Sequence, residues 1–370
     1  MAQTSQGPGA GKPRSRLGLF LPFILLVILA VAWSGLWFWM RGRAVQEIDA
    51  WLAREAAGGR NWTCADRSVT GYPFRLELRC SAVTLARSDG GFRVGPLTAV
   101  VQVYQPMHGL IEVAGPFHAE QGDLVGDVTW TSLEGSFHGS TSGFVRASLV
   151  VDQPKGSVRG GAPGPVDFAA RHLELHARPT PGRFESEGAV DISLRLANGR
   201  FPQLDAVVGN AEPASVALDA TLEQATRLGT GTIAHELEIW RQAGGRLDLA
   251  LGSLEKGDRR LQANGAVGLD EAHRPAGRFD VRAAGLDALV GQIMGQRLGA
   301  EKGALIGNLV GRFLGGLQRG QGEAGAGPEG NGASAKGDPA LAPLPPVKLA
   351  DGRLFLGPFA VPNVVLPPLY

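Results

Sequence analysis

From Leu17 to Met40 the chain runs through 24 residues, LGLFLPFILLVILAVAWSGLWFWM, without a charge. As an α-helix such a run is about 36 Å long, enough to cross the hydrocarbon core of a bilayer. Beyond it the spacing of apolar positions changes. Ala44, Val45, Ile48, Trp51 and Leu52 fall at helical intervals, predicting a helix over 44–57 that Gly58-Gly59 stops. From there a period of two dominates: Phe74/Leu76/Leu78/Cys80, Leu173/Leu175/Ala177, Val190/Ile192/Leu194/Leu196, Val216/Leu218/Ala220/Leu222, Leu247/Leu249/Leu251 and Phe279/Val281/Ala283, with Arg, Glu, His and Asp between them. These are strands with one apolar and one solvated face, as antiparallel sheets allow. Turn residues punctuate them, among them Ser88-Asp89-Gly90-Gly91, Asn198-Gly199 and Asp351-Gly352. The pattern predicts about a dozen to fifteen strands between 62 and 285, and one further hairpin near 347–357.

Two more helices are expected. The first covers 232–243, with Thr232 as N-cap, Ile233, Leu237 and Trp240 on one face and Gly244 as its stop. The second covers 286–317, where glycine recurs every fourth residue from Gly291 to Gly315. Each such glycine costs about 0.5–1 kcal/mol relative to alanine inside a helix, so this segment needs a surface to pack on. Two readings of it stand open: two short helices broken near Gly299–Gly303, or a small-residue face for close helix packing or membrane contact. Residues 318–346 turn to Gly, Ala, Pro, Glu and Asn without periodicity and read as a disordered linker. Order returns in a C-terminal hairpin over 347–370 that rejoins the sheet.

Composition and charge fix the setting. Glycine is abundant, 54 residues, apolar residues make up 44%, and Lys+Arg 36 against Asp+Glu 35 leaves a net charge of +1, with no basic footprint for nucleic acid. Lys12, Arg14 and Arg16 precede the apolar span with no acid among them, whereas Arg41, Arg43 and Arg54 after it are diluted by Glu47, Asp49 and Glu55. The positive-inside rule puts residues 1–16 in the cytoplasm as a disordered stub, 17–40 in the inner membrane and the bulk in the periplasm. Trp33, Trp37, Phe38 and Trp39 form an aromatic belt at the far boundary. Ala30-Val31-Ala32 also fits a signal-peptidase site, but cleavage there leaves an unsolvated WSGLWFWM terminus, so an uncleaved anchor is expected. Cys64 and Cys80, the two cysteines, flank the turn signal Thr70–Pro73; a hairpin turning about Tyr72 sets them opposite each other, as a disulfide in an oxidising compartment.

Catalytic constellations are missing. His235-Glu236 opens like a zinc-protease helix, but position 239 is Ile. Gly139–Gly143 puts Thr141 where a nucleophile elbow needs its serine. His172, Glu174 and His176 share the solvated face of one strand. No catalytic, metal or cofactor site is expected, and the chain reads as non-enzymatic.

The expected fold is therefore mainly β: an elongated, curved antiparallel sheet with a few helices behind an N-terminal transmembrane helix. Those helices are too few to cover its apolar face. Either the sheet folds over into a self-covered sandwich, or it leaves a groove lined by residues such as Leu76, Leu78, Leu175, Ile192, Leu194, Leu218, Leu249 and Val281. Four segments, W62-TCADRSVTGYPFRLELR-C80, E238-IWRQAGGRLD-L249, G265-AVGLD with R-P-A-G-R-F-D-V281, and L349-ADGRLFLGP-F359, resemble in order the alphaproteobacterial domain-of-unknown-function family 2125. That family looks akin to the AsmA-like envelope proteins, whose anchored β-grooves are associated with moving phospholipid. The resemblance implies a groove that binds or helps transport lipid or another apolar envelope component, with the inner membrane as partner. The alternative is a structural or assembly factor, self-covered, whose partners are other envelope proteins.

Overall fold

The computed structural model of the chain describes residues 17–160, 164–203, 205, 210–229, 231–285 and 341–370. The apolar span and the amphipathic segment after it join in one helix, α1 (Leu17–Ala57), 41 residues long. Uncharged Leu, Ile, Ala and Val give it a span in which the backbone satisfies its own hydrogen bonds, and Arg41 and Arg43, good helix formers, carry it onward. It stops at Gly59, which takes φ 76°, while the Arg60 N–H returns to the Glu55 carbonyl at 2.9 Å. One 18-residue window reaches mean hydropathy 2.3 with 6% of it buried, and α1 is the one helix among the described residues long and apolar enough to cross a membrane.

Seven long strands follow, each broken once. β1 (Asn61–Ala65) continues past Asp66-Arg67 as β2 (Ser68–Thr70), and β3 (Arg75–Cys80) past Ser81 as β4 (Ala82–Arg87). β5 (Gly90–Val94) runs through Gly95-Pro96 into β6 (Leu97–Gln102), and β7 (Gln105–Val113) through Ala114-Gly115-Pro116 into β8 (Phe117–Gln121). β9 (Leu124–Thr129) becomes β10 (Ser132–Ser140), β11 (Gly143–Asp152) becomes β12 (Lys155–Arg159), and β13 (Val166–Ala169) becomes β14 (His172–Pro179). One set of halves forms a seven-stranded sheet in the order β1-β4-β5-β8-β9-β12-β13; the other opens a sixteen-stranded sheet. The larger sheet continues through β15 (Val190–Gly199), β16 (Ala214–Leu222), β17 (Leu247–Lys256), β18 (Arg259–Leu269) and β19 (Pro275–Ala284). β20 (Ala342–Pro343) and β21 (Val347–Ala350) both pair with β19, and β22 (Arg353–Leu356) and β23 (Phe359–Val365) complete it. Pairing is antiparallel throughout. The helix expected over 286–317 and the linker up to residue 340 lie outside the described residues; β20 falls in the stretch read from sequence as linker.

The two sheets meet along a crease. Its residues are ones that leave a β-ladder: prolines 96, 116 and 154 lack the N–H, and Asp66 and Gln153 take φ 49° and 51°. The apolar positions nearest the crease are oddly spaced, as in Cys80 and Val83, Val94 and Leu97, Val128 and Leu133, or Phe168 and Leu173. An unbroken strand would put each such pair on opposite faces. The break returns them to one side, because α1 touches both sheets from that side: Trp51 packs on Trp62 of the smaller sheet with ring centroids 5.5 Å apart, while Met40, Ala44 and Ile48 face Leu76 and Leu78 of the larger.

The disulfide lies at this crease. Val69 pairs with Leu78, and the same register places Cys64 opposite Val83, so the hairpin turns between Pro73 and Phe74 and not about Tyr72. The cysteines are not ladder partners; the bend at Asp66 brings Cys64 onto Cys80, with the Cα atoms 5.1 Å apart.

The larger sheet carries the short helices α2 (Phe184–Glu187) and α3 (Ile233–Gln242). Thr232 caps α3 by accepting the His235 N–H, and Trp240, its buried residue, donates from Nε1 to the Glu223 carbonyl at 2.7 Å.

Candidate functional site

The register aligns the apolar positions of successive strands into rows. One row runs Leu76, Val101, Gly109, Phe137, Ala147, Ala177, Ile192, Ala220, Leu249, Gly265, Phe279, Val347, Leu356, Phe359. It crosses fourteen strands of the larger sheet, from β3 to β23, without a charge or a side-chain hydrogen-bonding group. At about 4.8 Å per strand that is about 60 Å of apolar surface. A second row, Leu78, Ala99, Ile111, Gly135, Leu149, Leu175, Leu194, Leu218, Gly252, Ala263 and Val281, lies beside it. Gly135 has a packing reason for its place, since a Cβ there would sit 2.5 Å from Ile111 Cγ2. The eight residues picked out from the sequence all fall on these two rows: Leu76, Ile192 and Leu249 on the first, Leu78, Leu175, Leu194, Leu218 and Val281 on the second. The smaller sheet adds its own rows on the same side, one of them Trp62, Leu85, Phe92, Ala119, Gly126, Val158 and Val166.

Among the described residues no second layer buries these rows. Among the described residues no large side chain is wholly buried, and the buried apolar ones are small, such as Val69, Val94, Val151 and Ala283, apart from Trp37 and Trp240. Leu175 keeps 37% and Phe137 52% of its surface exposed. Facing sheets of a sandwich interdigitate and bury their inner residues; this face is half-covered instead.

Among the described residues α1 covers its first strands. Trp39, Met40, Arg43, Ala44 and Ile48 stand over Val69, Leu76, Leu78, Ala99 and Val101, leaving an apolar cavity of about 430 Å³. That volume lies in the range of small-ligand sites. It opens where the helix leaves its uncharged stretch. Hydrogen bonds fix this junction: Trp33 Nε1 to the Pro73 carbonyl and Trp37 Nε1 to the Arg75 carbonyl, each 2.9 Å, and Arg41 Nε to the Val69 carbonyl, 2.9 Å. Sequence spacing gave no signal for this docking, which joins residues 28 to 40 positions apart.

The opposite face is polar and internally paired. A larger depression, about 540 Å³, is bordered by His176, Arg178, Asp191, Asp219 and Thr221 of this face together with Ala147, Ala177, Ile192 and Ala220 of the first row. Its groups already satisfy one another: Arg178 with Asp191, Thr221 with Asp191, His176 with Ser148, so it offers less than the apolar cavity despite its size. His172 and His176 are bridged by Glu174, and His172 also meets Asp152 at 2.6 Å. Asp152 above all, then Glu174, holds the His172 imidazole above its ordinary pKa, and His172 in turn holds both carboxylates below theirs. On α3, Glu236 accepts from the Gly229 and Gly231 N–H groups, a structural use of the His235-Glu236 pair. No cluster of three or more metal-ligating side chains occurs among the described residues.

A family model described as an uncharacterized protein conserved in bacteria, DUF2125, matches residues 37–364, from the end of the apolar span to the last strand. No curated protein matches the chain.

Proposed function

We propose that this chain, which belongs to the DUF2125 family of bacterial proteins, is a membrane-anchored, non-enzymatic carrier whose open apolar sheet holds lipid acyl chains. In this reading α1 crosses the inner membrane once with the N-terminus in the cytoplasm, and both sheets stand in the periplasm, where the Cys64–Cys80 disulfide persists. One observation carries the proposal: an unbroken apolar row across fourteen strands begins beneath the helix whose uncharged stretch is long and apolar enough to cross a membrane. Water against that row costs about 25 cal/mol for each Å² left uncovered, and an acyl chain laid along it gains about 0.8 kcal/mol per buried methylene. An acyl chain is the natural occupant, because it is long, apolar and abundant at the row's starting point. The kinship to AsmA-like envelope proteins and a part in moving lipid between membranes belong to the same proposal.

A photo-crosslinking amino acid at Leu194, in the middle of the second row, tests it in the full-length protein in cells. Mass spectrometry is expected to find a phospholipid adduct at position 194 and none at the neighbouring Ser193, on the polar face. Equal labelling at the two positions, or a protein adduct at 194 in place of lipid, refutes the carrier reading.

A further inference from the structure

We infer that three hairpin tips at the α1 end of the larger sheet rest in the interfacial layer of the membrane that α1 enters, so that the sheet sits on the bilayer by its rim. The tips are Thr70–Phe74 between β2 and β3, Gln102–Met107 between β6 and β7, and Gly139–Val145 between β10 and β11, and none of them carries a charge. The other ends of the same bent strands do: Arg87 and Asp89, Asp123, and Arg159 stand at the tips of the smaller sheet. On the bent strands nearest α1, then, one end is charged and the other is not; farther along the same rim the β14–β15 connection carries Arg183, Glu185 and Glu187.

The uncharged tips nearest α1 are also aromatic and bare. Tyr72 is 54% exposed, Phe74 61% and Tyr104 59%, beside Phe38 and Trp39 of α1 at 62% and 64%. Tyr72, Tyr104 and Trp39 have the polar tip or edge of side chains that collect at the headgroup boundary, and Phe74 and Phe38 add apolar surface beside them.

Depth agrees. Counting from Leu17, about 20 residues cross the hydrocarbon, which ends near residue 36, shortly before the first charge at Arg41. Ser34 Oγ lies 2.8 Å from the Tyr72 hydroxyl, and Tyr72 packs between Trp37 and Phe38 with centroids at 5.4 and 6.0 Å. The second tip is held level with the first, because the Val103 N–H donates to the Phe74 carbonyl at 2.9 Å. Tyr72, Phe74 and Tyr104 therefore lie at the far boundary of the span, and the apolar cavity opens immediately beyond it.

This inference rests on the anchoring half of the proposal above and not on what the sheet carries. The test uses the full chain in nanodiscs of phosphatidylcholine and phosphatidylglycerol, with its native disulfide oxidised and one introduced cysteine carrying an environment-sensitive dye. Tyr104→Cys reports the rim, Asp123→Cys the charged end and Leu26→Cys the span; Met107→Cys serves as a second rim site. Headgroup-proximal doxyl lipid is expected to quench the dye at 104 and 107 at least about twofold more than at 123, while aqueous iodide shows the reverse order. Quenching by lipid at 26 but not at 104 or 107 overturns the rim contact alone. No quenching at 26 overturns the anchoring reading, and the rim contact with it.

Discussion

Removing the Cys64–Cys80 bond frees the corner where the two sheets begin, and its cost follows from the loop it closes. The sequence separation is 16 residues, and that loop encloses the β2–β3 hairpin on which α1 is bonded. Closing such a loop removes about 10 cal/mol/K of entropy from the unfolded chain, so its loss costs about 3 kcal/mol at 25 °C. With a urea slope of about 3 kcal/mol/M, the unfolding midpoint of the full chain in detergent is expected to fall by about 1 M in Cys64→Ala/Cys80→Ala, or on reduction of the native protein. Tryptophan emission reads the transition, because Trp51 and Trp62 face each other beside the bond. Single serine variants separate cross-link from burial. Cys80 is only 5% exposed whereas Cys64 is half-buried, so Cys80→Ser also buries a hydroxyl, at a further cost of about 1 kcal/mol. An unchanged midpoint on reduction refutes the argument, and a larger loss from Cys64→Ser than from Cys80→Ser refutes the burial part of it.

Two further substitutions probe the larger sheet. In Gly245→Ala the new methyl would stand 2.3–2.5 Å from the Trp240 indole, forcing Trp240 off the Glu223 carbonyl; a loss of about 1–3 kcal/mol with a red-shifted emission is expected, and native-like emission and stability would count against this packing. His172→Gln makes stability respond to pH in a definite sense. The raised His172 pKa contributes fully below the ordinary histidine value and is lost as pH rises through the raised one, while the lowered Asp152 and Glu174 values are lost as pH falls through them. The gap between wild type and variant in a thermal melt should therefore be widest between the ordinary carboxylate and histidine values and narrow as pH rises above the ordinary histidine value; a gap that widens with pH over that range refutes it.

Residue pattern alone carried much of this architecture. Alternation such as Val190/Ile192/Leu194/Leu196 identified strands, because a half-covered sheet imposes period two directly on the sequence. The crease left no such mark: it lies where the period fails, between Val94 and Leu97 or Phe168 and Leu173, and a failing period reads equally as a turn. Counted as continuous strands, the seven bent ones and β15–β19 make twelve, within the range expected over 62–285, whereas the pairing divides them between two sheets. The cysteine pair was legible, but its register was not, since a shift from Tyr72 to the Pro73–Phe74 bond moves every partner by three positions. Thr232 announced α3, because capping is local chemistry. The contact of Tyr370 with Glu238, 132 positions apart, and the docking of Trp33 and Trp37 on the first hairpin are long-range and had no local signature. The apolar rows lie between these cases: their residues were visible strand by strand, but their alignment across fourteen strands depends on registers set by the turns and bulges.

α1 passes from its uncharged stretch to Ala57 as one helix, and Trp33, Trp37 and Arg41 bond it to the first hairpin. There is consequently no joint between the part suited to the bilayer and the part that bears the sheets. A helix of this length is about 60 Å, and a change of tilt of about 10°, within the range that bilayer thickness imposes, swings a point that far away by about 10 Å. In the anchored arrangement the helix is a pointer and the sheet its needle: where the distal strands reach is set by the thickness of the membrane at the base.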